Sequence, residues 1–145
     1  MVILLFIFHQ RMYYMQKTIT FAHKSLNMED YILREINKIG EILRFIASKL
    51  GLHNSTVTEL PIAEIKSEFA KTELIMDIEY VLAQKHPIQY LVEHVKISDD
   101  GLETFVDILF HSDIDKNKKA ELLNDAINFL DKKGYYSFRL HSLHI

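Results

Sequence analysis

The stretch NMEDYILREINKIGEILRFIASKLG, residues 27–51, decides the fold class. Ile32, Ile36, Ile39, Leu43, Ile46 and Leu50 recur at alternating steps of four and three, which lines them along one side of a helix. Leu33, Ile42 and Ala47 widen the stripe, while Arg34, Glu35, Lys38, Glu41, Arg44 and Lys49 fall mostly on the opposite side. The spacing predicts a helix that opens behind Asn27 as N-cap, with Asp30 at the capping-box position, and stops at Gly51. Glu29 and Asp30 suit the positive end of its dipole and Lys49 the negative end. So wide an apolar face demands cover. Tyr31, Ile32, Ile36, Ile39, Leu43 and Ile46 are therefore the candidate interaction surface, filled by the rest of the chain or by a partner such as a second copy.

The totals set the bounds. A chain of 145 residues can bury one domain-sized core. With 48% hydrophobic and 26% charged residues it has globular composition, and 4 Gly and 2 Pro are too few for a loop-rich or all-β protein. A net charge of −3 provides no global field to recruit nucleic acid, so no nucleic-acid partner is expected. The absence of Cys excludes disulfides, thiolate zinc sites, iron–sulfur clusters and a Cys nucleophile, and fits a cytoplasmic chain.

Residues 1–27 differ from the rest. Residues 2–8, VILLFIF, form an apolar run far shorter than the roughly 20 residues a membrane span needs. No basic segment precedes it, and no small-residue cleavage pattern comes after it. Three readings stand open: an element packed on the domain, a weakly docked extension from an upstream start with Met28 as the natural initiator, or a membrane-anchoring peptide. The working division is 1–27 as an extension and 28–145 as a single helical domain, with membrane contact disfavoured.

Downstream, residues 52–58 read as a polar loop, and Pro61 suits the first turn of a second helix with Ile62, Ile65 and Phe69 inward. The phase slips near Lys71 and Thr72, after which Leu74, Ile75, Ile78, Val81 and Leu82 define a new stripe. His86 followed by Pro87 ends that segment and opens a short helix with Ile88, Leu91, Val92 and Val95 inward. Asp100 is expected to cap the next helix with Glu103 as its capping-box partner, and Leu102, Phe105, Val106 and Leu109 face inward. A helix over residues 116–133 buries Ala120, Leu123, Ala126, Ile127 and Leu130 and stops at Gly134. Residues 135–145 alternate like a strand at Tyr136, Phe138 and Leu140, but a lone strand has no pairing partner, so helix is favoured.

Specific chemistry is sparse. The 8 His include no HExxH, and the i, i+3 pair His141 and His144 has no third ligand nearby. Asp113, Asp115 and Asn117 open like a calcium loop, but Lys118 stands where its Gly belongs and Asn124 where its bidentate acid belongs. The low-ranked metal candidates are His86, His111 and Asp113, which a small metal-assisted hydrolase would bring into one pocket. No P-loop, nucleophile elbow or GxGxxG is present, and no catalytic residue or cofactor is assigned. The lysines at 116, 118, 119, 132 and 133 read as a solvated face, without interleaved aromatics for base stacking.

Residues 28–52, MEDYILREINKIGEILRFIASKLGL, resemble the opening of a group of small uncharacterised bacterial all-helical proteins with an acid–aromatic–hydrophobic start and a REI-KIG core. The later part of those proteins looks tetratricopeptide-like. Residues 102–134 are similar to one tetratricopeptide unit: Leu102, Phe105, Val106 and Leu109 match the first-helix pattern, and Leu123 and Ala126 match two second-helix positions. Val106 and Lys119 replace small residues of that repeat, and no Pro closes the unit. The resemblance implies a fold and assigns no activity. The expectation is an all-α, irregular multi-helix bundle with a tetratricopeptide-like hairpin, acting non-enzymatically through association. A metal-assisted hydrolase and a peripheral membrane protein are the alternatives.

Overall fold

The computed structural model describes the backbone of residues 2–53 and 59–143, and the side chains of all of these except 18–26. The protein is all-α: seven α-helices and one π-helical turn make up the regular structure among the described residues. They are α1 (Val2–Lys49), α2 (Ile62–Ala70), α3 (Ile78–Ala83), α4 (Pro87–Tyr90) running into the π-helical turn Leu91–Val95, α5 (Asp99–Phe110), α6 (Lys116–Lys133) and α7 (Phe138–His141). Most of the loop expected at residues 52–58, and His144 of the His141/His144 pair, lie outside the described residues. The chain divides into two compact units, Met1–Glu35 and Ile36–Ile145.

The helix expected to start behind Asn27 does not start there: α1 runs through it. No Gly or Pro occurs before Gly40, so nothing in the preceding residues breaks the helical backbone, and Asn27, Glu29 and Asp30 stand in mid-helix. The C-terminal end is as expected. Gly51 adopts φ +74°, and the Leu52 and Gly51 amides donate to the carbonyls of Ala47 and Ser48 at 3.1 Å each. This is the Schellman closure that a residue without Cβ permits. Gly134 ends α6 in the same way at φ +85°, with Tyr135 N–H donating to Leu130 O at 2.9 Å.

In the unit Ile36–Ile145 the core gathers Leu43, Ile46 and Ala47 of α1, Ile65 and Phe69 of α2, Ile78 and Val81 of α3, and the apolar faces of α4, α5 and α6. Phe69 meets Phe105 edge to face at 6.3 Å. Helix α5 is the central element. Every residue from Gly101 to Leu109 is buried, including the polar Glu103, Thr104 and Asp107, and its closest partners are α6 and α7. Ion pairs pin the elements around it: Arg44 of α1 with Asp100, and Lys133 of α6 with Asp99 at 2.7 Å.

Two local expectations are corrected. The cap of α5 is Ser98, whose Oγ accepts from Gly101 N–H at 3.1 Å; Asp100 and Glu103 belong to the helix body. Leu74 and Ile75 lie outside any helix, because Asp77 starts α3 by accepting from Glu79 and Tyr80 N–H. In the tail, as expected, the structure forms helix rather than strand among the described residues: one turn, α7, capped by Ser137. No strand occurs among the described residues, but Leu60 and the residues after α5 bridge in parallel, through Leu60 N–H to His111 O at 2.8 Å and Asp113 N–H to Leu60 O at 2.9 Å.

Candidate functional site

The three metal candidates do not meet in one pocket. His86 is exposed at the N-cap position of α4. His111 closes α5, its Nδ1 lying 2.8 Å from the Asp107 backbone oxygen and 3.3 Å from Asp107 Oδ1. The hydrogen bond to the Asp107 carboxylate holds the His111 pKa above the usual histidine value, against the opposing effect of burial. Asp113 acts elsewhere, its Oδ1 accepting from Ile62 N–H at 2.8 Å. It thereby caps α2 from across the fold, which Pro61, without a side-chain oxygen, cannot do. Asp115 caps α6 by accepting from Asn117 and Lys118 N–H. The calcium-like spacing of these aspartates is thus two helix starts. Among the described residues no group of three or more His, Asp or Glu is placed to hold a metal.

The polar chemistry of the core lies on α5 instead. Glu103, 9% exposed, receives hydrogen bonds from Tyr135 Oη at 3.1 Å and from Ser137 Oγ. Ser137 Oγ also accepts from Leu140 N–H at 3.0 Å, so the carboxylate fastens the entry to α7. Burial, and next the charge of Glu103, push the Tyr135 hydroxyl up to about 12. One turn on, Asp107 faces both His111 and Arg139, the latter at 3.8 Å. Sequence spacing puts Glu103 and Asp107 on one face of α5, but nothing local reveals that the tail brings their partners.

A groove of about 500 Å³ opens between α4, the π-helical turn and α6. Ile88, Val92 and Phe129 supply its apolar lining, His86 and Gln89 are polar, and Glu93, Asp125 and Lys132 supply charges of both signs. Aromatic rings continue nearby: the exposed Tyr80 meets the half-buried Tyr90 edge to face at 5.6 Å, and Tyr90 stacks on His94 at 5.0 Å. The groove carries no nucleophile hydrogen-bonded to a base. The lysines of α6 are partly neutralised, Lys119 by Glu59 at 2.7 Å and Lys118 by Glu121 at 3.4 Å.

The candidate interaction surface is divided. Leu43 and Ile46 are fully buried in the core of Ile36–Ile145, and Ile36 and Ile39 are half-buried. Those four belong wholly or partly to folding. In the unit Met1–Glu35 the large apolar residues whose side chains are described include Met28 at 60% exposure, Tyr31 at 65%, Ile32 at 50% and Leu33 at 57%. The residues from Val2 to Phe8 are exposed as well, as are Met12, Tyr13, Tyr14 and Met15. No described helix is long and apolar enough to cross a membrane. No protein-family model matches the chain, and no curated protein or solved structure does either.

Proposed function

We propose that this protein works by association, and that a second copy of the chain packs on Tyr31, Ile32 and Leu33 of α1. The observation that carries this reading is the exposure of these three large apolar residues together with Met28 on consecutive turns. Contiguous apolar surface of this kind is uncommon on monomers unless something covers it. The neighbouring charges support a self-complementary contact: Glu29, Asp30 and Glu35 flank Arg34, so an antiparallel copy brings opposite signs together. The structural use of Asp113 and Asp115 as caps, and of Glu103 as a latch, also supports a non-catalytic role. The α5–α6 pair supports a tetratricopeptide-like hairpin within this reading, since Leu102, Phe105, Val106, Leu109, Leu123 and Ala126 are all buried.

The test is light scattering over a range of concentrations, on the full chain and on Ile32→Asp. The expected result is a dimer or larger species in the parent and a monomer in the variant. A parent chain that stays monomeric at every concentration refutes the reading.

A further inference from the structure

The geometry points to the first turns of α1 as an element that inserts into an anionic lipid bilayer surface. Insertion would use residues 2–17 and does not depend on self-association through Tyr31, Ile32 and Leu33.

Residues 2–8 are apolar without interruption, and each is exposed, from 55% at Ile7 to 80% at Val2. Seven residues complete nearly two helical turns, so their side chains point to every side of the helix axis. A partner helix covers one stripe and leaves the others wet. Hydrocarbon covers all sides at once. The run is about 10 Å long at the helical rise. That is about a third of the hydrocarbon thickness of a bilayer, enough to enter one leaflet and too short to cross. The shortness that argues against a membrane span in the sequence therefore does not argue against insertion.

The residues after the run match the depth at which headgroups begin. His9, Gln10 and Arg11 are exposed, then come Tyr13 and Tyr14 at 60% and 64% exposure, edge to face at 6.2 Å. Rings with one polar end favour the membrane–water boundary. Lys17, also exposed, adds a second cation. In the sequence Arg11, Lys17 and Lys24 meet no Asp or Glu before Glu29, although the whole chain carries −3. The sign of this segment is opposite to that of the chain and complementary to acidic lipid headgroups. An apolar run followed by a cationic collar combines the two attractions that stable peripheral binding needs.

The experiment is co-sedimentation of the full chain with vesicles of mixed phosphatidylglycerol and phosphatidylcholine, and with phosphatidylcholine alone, at low and high salt. We expect binding to the anionic vesicles at least tenfold tighter than to the neutral ones, weakening as salt rises. The double substitution Phe6→Asp with Phe8→Asp should lose at least tenfold on anionic vesicles. Arg11→Gln with Lys17→Gln should lose about fivefold per charge on anionic vesicles and nothing on neutral ones. Circular dichroism establishes that each variant remains helical; the charge variant leaves every apolar residue in place and tests the inference alone if the Asp variant misfolds. No binding to anionic vesicles overturns the inference, as does equal binding to neutral ones or an undiminished affinity in the Asp variant. So does a chain that ignores vesicles but loses oligomeric mass on Phe6→Asp. The monomer–dimer result for Ile32→Asp bears only on self-association, so the two readings fail separately.

Discussion

Replacing Glu103 by Gln tests whether the buried carboxylate of α5 holds the C-terminal turn in place. In the parent it accepts from Tyr135 Oη at 3.1 Å and from Ser137 Oγ, while Ser137 Oγ accepts from Leu140 N–H. A hydrogen bond to a charged acceptor contributes a net of about 1.5–3 kcal/mol, and one to a neutral acceptor about 0.5–1.5 kcal/mol. Glu103→Gln turns one charged bond into a neutral one and presents an amide N–H₂ to the other hydroxyl. Relief from burying a carboxylate offsets part of the loss. The net expectation is about 1–2 kcal/mol of destabilisation, a fall in Tm of roughly 4–8 °C for a domain of this size. The tyrosine provides a second readout. Its folded pKa is raised from 10.0 to about 12, so its contribution to stability is complete below pH 10 and is lost between pH 10 and 12. Burial, the larger cause, survives the substitution, whereas the charge does not and any remaining hydrogen bond is to a neutral acceptor. The Tyr135 midpoint should therefore fall while staying above 10. Ultraviolet titration at the tyrosinate band measures it, each protein being compared with its own Tyr135→Phe version to isolate one tyrosine among 7. An unchanged midpoint together with unchanged Tm would show that the carboxylate does not latch the tail.

The two helical glycines, Gly40 in the interior of α1 and Gly101 in the first turn of α5, differ in what they tolerate. Gly40→Ala should stabilise by about 0.5–1 kcal/mol in thermal or denaturant unfolding, because a Cβ there meets Ser98 Oγ at an ordinary 3.5 Å in mid-helix. Gly101→Ala should gain less or lose, since its Cβ would lie 3.0 Å from both Ile97 Cγ1 and the capping Ser98 Oγ. Ile46→Ala should cost about 2–5 kcal/mol, and Ile32→Ala less than about 0.5 kcal/mol when the chain is measured as a monomer, because Ile46 is fully buried and Ile32 is half exposed. Stability contributed by His111 is complete below its unfolded pKa of 6.5 and is lost as pH rises through its raised folded value, so Asp107→Asn should flatten the pH dependence of denaturant midpoints over that window. Lys119 opposes the His111 shift and Arg139 shares Asp107, which makes the slope modest.

The helical class was legible in residues 27–51 because apolar periodicity reports a helix whatever covers it. Helix ends were legible where backbone chemistry leaves no alternative: Gly51 and Gly134 take positive φ, and Pro87 opens α4. Starts were less legible because several residues near each boundary can cap. Asn27 has the right side chain but no break before it, so α1 passes through; Asp100 has the right side chain but Ser98, two residues earlier, caps α5. Asp113 shows the limit most clearly. Its partner is the Ile62 amide, 51 residues away, and no window along the chain contains both.

The stripe from Tyr31 to Ile46 reads as one surface because periodicity records where a helix is greasy, not what covers it. Leu43 and Ile46 are sealed in the core, Ile36 and Ile39 are half-covered, and Ile32 and Tyr31 are exposed, with no change in the spacing of the residues along the way. The same four-three pattern therefore specifies a folding contact at one end and an unfilled contact at the other. Charge and continuity separate them: beyond Glu29 toward the first residue, acids disappear, and in residues 2–8 the apolar residues close round the whole helix. An all-round apolar helix cannot be satisfied by the single-sided packing that its C-terminal end uses, so the two ends of α1 call for different surroundings.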